Sequence, residues 1–104
     1  MSARSLYKVV FLSQGKVYEI YARNVTQGTL FGFIEVERLV FGERSTVVID
    51  PSEERIRSEF AGVRRTYLPI HSILRIDVVE KQGVSKISTA ETSNVSQFPT
   101  PIYT

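Results

Sequence analysis

Cysteine and tryptophan are both missing from this 104-residue chain, and histidine and methionine occur once each. Without cysteine there is no disulfide staple, thiolate metal site or cysteine nucleophile, and the usage fits a reducing compartment. The single histidine, His71, has no serine in a G-x-S-x-G elbow to activate, so a nucleophile–base pair is not expected. No apolar run approaches the ~18 residues of a membrane span. The N-terminus, MSARSLYKVVFL, has a short apolar run and no small-residue cleavage site, which argues against a signal peptide. Charge of one sign is scarce as well: 13 basic against 11 acidic side chains give a net charge of +2. A polyanion-coating protein usually carries a much larger basic excess. These absences favour a cytoplasmic protein with no cofactor and no membrane contact.

The hydrophobic fraction is 42% and the charged fraction 23%, ordinary values for a globular chain. The length suits one small domain, burying roughly 60–65% of its unfolded surface in one modest core. Leu6–Leu12 is rich in β-branched and aromatic residues, and Ser13-Gln14-Gly15-Lys16 supplies turn chemistry. Val17–Arg23 alternates, with Tyr18, Ile20 and Ala22 opposing Val17, Glu19, Tyr21 and Arg23. The pair reads as a β-hairpin. Asn24–Thr29 is a polar loop.

Leu30–Phe41 changes phase partway. Ile34 and Val36 oppose Glu35 and Glu37, but after Arg38 the apolar set becomes Leu39 and Phe41. Because strand side chains repeat every two residues, such a slip requires a bulge or sharp bend, and Gly32 offers a second place to bend. A bent strand is expected; a helix is the rival, since Phe33, Val36, Glu37 and Val40 also fit a three-to-four spacing. Gly42–Arg44 is a turn and Ser45–Ile49 a short strand. Asp50-Pro51-Ser52-Glu53 then carries the cap, first-turn proline and capping-box acid of a helix start. Ile56 and Phe60 make one apolar stripe and Gly62 a stop, giving a short helix over 51–60. A strand at 55–60 is the alternative.

Val63–Leu68 and Ser72–Glu80 are two further strands meeting at Pro69-Ile70-His71. In the second, Ile73, Arg75, Asp77 and Val79 share one face, and Leu74, Ile76 and Val78 the other. Phe11, Phe33, Phe41 and Phe60 are expected in the core. From Ser85 the chain is Ser/Thr-rich with two prolines, too poor in apolar side chains to offset its ordering entropy. The expected organisation is a domain over 1–84 and a flexible tail over 85–104, whose FPTPIYT end has the composition of a short extended peptide ligand.

The segments VYEIYARNV, GFIEVERLVFGERS, SEFAGV and YLPIHSILRID together resemble a small family of uncharacterised proteobacterial proteins of about this length, over roughly residues 6–84. The resemblance implies a bacterial cytoplasmic protein and supplies no catalytic residue; the tail falls outside it. More distantly, the layout is similar to Sm-like barrels, which bind RNA as rings, through the bent strand at Gly32–Glu37 and the late strand–proline–strand closure. Those proteins place a helix before the first strand, whereas here it falls between the fourth and fifth. Their RNA-contact motifs are not recognisable.

Arg55, Arg57, Arg64 and Arg65 form the only local concentration of positive charge, with Tyr67 and His71 close in sequence. Such a set can bind an anion, or single-stranded nucleic acid by phosphate pairing and base stacking. Glu53, Glu54 and Glu59 interleave with these arginines, which equally describes a solvated, salt-bridged face. Glu35 and Glu37 share a strand face as a carboxylate pair, in its plain reading a solvated face paired with Arg38 or Arg75. His71 beside Pro69 reads mainly as a structural hydrogen-bonding residue, and no acid stands at metal-ligand spacing from it. The expected fold is a mainly β, SH3-like (Sm-like) five-strand barrel, partly opened, with one short helix. The expected function is a non-enzymatic binding or adaptor module whose partner is a protein or a second copy of itself. RNA binding is the alternative, and no small-molecule substrate is evident.

Overall fold

The computed structural model describes residues 5–42 and 51–89 of the chain. Strand β1 (Leu6–Ser13) and strand β2 (Lys16–Thr26) form the expected hairpin, in register from Tyr7 opposite Ala22 to Ser13 opposite Lys16. Gln14 and Gly15, with φ of 55° and 76°, turn it. Two successive left-handed residues match the twist of the strands they join, and glycine meets that requirement without a Cβ penalty. β2 runs on to Thr26, so the expected loop shrinks to the residues after it.

Strand β3 (Phe33–Val40) confirms the strand reading over the helical one, although residues 30–32 form a turn before it. The phase slip is real and sits at Arg38, whose φ is +62°. Ile34 and Val36 face the core before it, Leu39 and Phe41 after it, and the register with β2 continues unchanged across it. One left-handed residue thus does what an inserted bulge residue would do. The helix α1 (Pro51–Glu59) is also present, with Glu53 and Glu54 at its positive end and Arg57 in its last turn. Ile56 is fully buried, Phe60 packs beside it, and Gly62 at φ +81° follows the helix end. The strand expected at Ser45–Ile49 and the cap Asp50 lie outside the described residues.

Strand β4 (Arg65–Pro69), the 3-10 turn Ile70–Ser72 and strand β5 (Ile73–Val79) follow. The sheet order is β4-β3-β2-β1-β5, all antiparallel. Strand β6 (Lys86–Thr89) pairs with Lys16–Glu19 of β2, on the side that β3 occupies farther along. The tail expected from Ser85 therefore begins too early: Ser85 is fully buried and Ile87 packs against the core. A polar segment escapes the entropy argument when an existing strand edge and one apolar side chain receive it. Residues 90–104 lie outside the described residues.

The core lies on one face of the sheet. Val9, Phe11, Tyr18, Ile20, Ala22, Val36 and Leu68 gather there under Ile56 of α1. The Phe11 and Tyr18 rings stack at 4.9 Å. Tyr21 points to the other face and is covered by the loop at Gly83, where a Cβ would fall 2.5 Å from its hydroxyl. Phe33, expected in the core, is only half-buried at the start of β3. Among the described residues the path from β4 to β5 is not closed by hydrogen bonds, so the sheet they form is open rather than a complete barrel.

Candidate functional site

The open end is where the sequence spends apolar residues on water. Among the described residues β5 pairs with β1 along one side only, with Val9 opposite Ile76 and Tyr7 opposite Val78. Residues directly across an antiparallel ladder share a face, so Ile76 and Val78 project on the core side. Yet Leu74, Ile76 and Val78 are 57%, 38% and 70% exposed. Ile73, by contrast, packs into the core. The pairing slips between Val10 and Phe11, which face Arg75 and Ile73, and leaves Leu74 as the extra residue of a bulge. The simple alternation expected for this strand is therefore corrected: the bulge parts Ile73 from the face of Arg75 and Asp77.

The turn leading into β5 is held firmly. Ser72 donates its hydroxyl to the Pro69 carbonyl at 2.8 Å, and the Ile70 N–H donates to the Gly32 carbonyl at 2.9 Å. Ile70 borders a hollow under the loop carrying Leu30 and Phe31, and Phe31 is 98% exposed. A second, shallower hollow at the far end of β5 is lined by Leu6, Arg23, Val78, Val79 and Gln82. Exposed apolar surface thus runs from the turn along the strand. Isolated exposed residues are unremarkable, whereas several along one strand edge that is unpaired among the described residues set this surface apart from the rest of the sheet.

The arginine cluster resolves into two separate places. Arg57 lies over the Phe41 ring, 4.9 Å from its centroid, donates to the Gly42 carbonyl at 2.8 Å and pairs with Glu54 at 3.5 Å. Arg65 bridges Glu37 at 2.7 Å and Glu35 at 3.2 Å across β3 and β4. The partner of the carboxylate pair is thus Arg65, in place of Arg38 or Arg75, because the β3–β4 register sets Arg65 opposite Glu37. The Arg65 and Asn24 hydrogen bonds to Glu37 hold its carboxyl below the usual range, and Glu37 in turn raises Arg65. Arg55 and Arg64 stand exposed on α1 and before β4. Tyr67 is half-buried opposite Glu35, and His71 is exposed in the 3-10 turn.

A buried carboxylate does structural work that the helix-start signature did not reveal. Glu53 is buried and accepts N–H bonds from Gly42 at 3.3 Å and Ser85 at 3.2 Å. It ties α1 to the end of β3 and to the approach to β6. At the other end of the helix, the Tyr18 hydroxyl donates to Glu59 at 2.8 Å. Burial first, and then this bond, push the Tyr18 hydroxyl above its ordinary value. No group of three or more metal-ligating side chains occurs among the described residues. Nor is any described helix long and apolar enough to cross a membrane.

The family profile for DUF1820, a domain of unknown function, matches residues 5–100. The chain belongs to that family. The DUF1820 match runs beyond β6, so the resemblance reaches past residue 84 into the segment read as a tail. No curated protein and no solved structure matches the chain. Within this DUF1820 protein, sequence reasoning singled out cations, whereas the exposed edge consists of Leu74, Ile76 and Val78. The available signal was the segment Leu74–Val78 itself, apolar at every second position beside a charge of each sign.

Proposed function

We propose that this DUF1820 protein is a non-enzymatic binding module that recognises protein through the exposed side of β5. The observation that carries the reading is the exposure of Leu74, Ile76 and Val78 along a strand whose outer edge has no partner among the described residues. An unpaired strand offers backbone N–H and C=O groups for strand addition, and alternate side chains supply the specificity. An SH3-like, Sm-like barrel opened between β4 and β5 is the fold that suits this role. The strand order and the 3-10 turn before β5 support that reading. The helix between β3 and β4 departs from it.

Nucleic-acid binding has less support. Arg57 and Arg65 already satisfy carboxylates and a carbonyl, which lowers the field available to phosphate. The test is affinity capture from native extract with and without nuclease, comparing wild type with Ile76→Lys. Protein partners that survive nuclease with wild type and disappear with Ile76→Lys are the expected result. RNA recovered by both proteins, and lost on Arg55→Glu with Arg64→Glu, would overturn it.

A further inference from the structure

We infer that the occupant of this edge is a second copy of the chain, paired β5 to β5 in antiparallel register about Ile76. The inference rests on the reading of β5 as a binding edge and adds its partner and geometry. The first support is the pattern of the strand. Leu74-Arg75-Ile76-Asp77-Val78 reads the same, in chemical character, from either end once opposite charges are exchanged. With a two-fold axis through Ile76, each Arg75 faces the second copy's Asp77 and each Leu74 faces its Val78. Ile76 then meets Ile76.

Other registers lose this match. Moving the axis to Arg75 sets arginine against arginine, and moving it to Asp77 sets aspartate against aspartate. A slip of one residue sets Ile76 opposite Arg75 or Asp77 and breaks both Arg75–Asp77 contacts. Cross-strand like charges destabilise and opposite charges stabilise, so the pattern selects one register. In the single chain the Arg75 Nε already lies 3.1 Å from the Asp77 carboxylate, on an exposed face. Pairing would extend that contact to a ring of four alternating charges.

The second support is the contrast with the other edge. β4 ends in Pro69, which has no N–H to offer, and begins with the Glu-bound Arg65 directly after the exposed Arg64. Proline and unbalanced charge are devices that keep strand edges from pairing. Ile73–Val79 contains no proline, glycine or lysine, and its two charges cancel. A symmetric dimer in which each copy presents the same patch closes on itself, whereas β4-to-β5 pairing would build rings or filaments.

The experiment is sedimentation equilibrium of the full chain from micromolar to millimolar concentration. Arg75→Asp, Asp77→Arg, the double exchange and a 1:1 mixture of the two single variants are compared with wild type. Wild type is expected to pass from monomer to dimer. Each single reversal makes both charge contacts repulsive and should weaken the dimer about tenfold or more. The double exchange and the mixture each restore complementarity, so both should dimerise. A dimer indifferent to the single reversals, a mixture that stays monomeric, or a larger ring overturns the inference. Amide spectra of wild type at several dilutions give a readout that needs no variant: concentration-dependent shifts should concentrate in Ile73–Val79. If wild type remains monomeric while Ile76→Lys still loses a captured protein, self-pairing fails and the binding edge stands. If Ile76→Lys changes neither, both fail.

Discussion

Val9 has an isoleucine on each side of it in the sheet, and the two are treated very differently. Ile20, across the β1–β2 ladder, has no exposure, whereas Ile76, across the β1–β5 ladder, keeps 38%. The same residue type at equivalent positions shows that strand pairing alone does not build a core. Closure comes from the second layer. α1 lowers Ile56 onto the β1–β2–β3 side, and Leu68 of β4 joins it there. Nothing equivalent covers β5 among the described residues.

The largest expected effects lie on the covered side. Ile20→Ala should destabilise the fold by about 2–5 kcal/mol, since it removes wholly buried methylenes and leaves a cavity. Ile76→Ala should cost roughly half of that or less, because the coefficient scales with area withdrawn from water. Denaturant melts at two protein concentrations sharpen the comparison further. The Ile20 cost should be independent of concentration, and the Ile76 cost should grow with it if β5 pairs. Equal, concentration-independent costs would erase the distinction between the two halves.

A middle-sized effect tests what holds the second layer in place. Glu53→Ala should cost about 1–3 kcal/mol for the buried Ser85 N–H alone, which would lose its carboxylate acceptor. Hydrogen exchange should then quicken first in β6 and around Gly42, the segments this carboxylate joins to α1. A variant as stable as wild type, with β6 still protected, would show that Ile56, Tyr18 and Arg57 hold the helix without this carboxylate.

Local chemistry made much of this fold legible. The hairpin, the phase change at Arg38, the helix start at Pro51 and its end at Gly62 each follow from a few neighbouring residues. What the sequence could not convey was pairing at a distance. Ser85–Thr89 reads as tail because its composition is poor, and only the vacant edge of β2 makes it a strand. The partner of Glu37 was misjudged for the same reason: Arg65 is 28 residues away and arrives through the β3–β4 register. The arginines read equally as an anion site or a salt-bridged face, because proximity along the chain does not say which carboxylate each one meets; Arg57 meets Glu54, and Arg65 meets Glu35 and Glu37. Exposure of Leu74, Ile76 and Val78 was illegible too, since alternation says which residues share a face and not whether anything covers it.

The smallest effect belongs to the β4 edge and has a definite sign. Arg65 and Asn24 favour the charged form of Glu37, so its carboxyl titrates below the usual value near 4.3. A group whose pKa is lowered on folding binds fewer protons in the native state than in the unfolded one. Its contribution to stability is therefore present at neutral pH, begins to fall as the unfolded carboxyl protonates, and is gone once pH drops through the folded pKa. Arg65 stays charged throughout, so the loss belongs to Glu37. Glu37→Gln should lower the melting temperature slightly near pH 7 and leave it unchanged at strongly acid pH. The pair is exposed to solvent and salt, so the same difference should shrink in high salt. The β5 edge predicts a different pattern, because Arg75 and Asp77 would act across two chains. Salt should weaken their contribution more at concentrations where the protein associates, because the contact within one chain is joined there by contacts across two. One titration of Glu37→Gln and one of Asp77→Asn, each at two salt levels and two protein concentrations, would therefore separate an edge sealed within the chain from an edge completed by another.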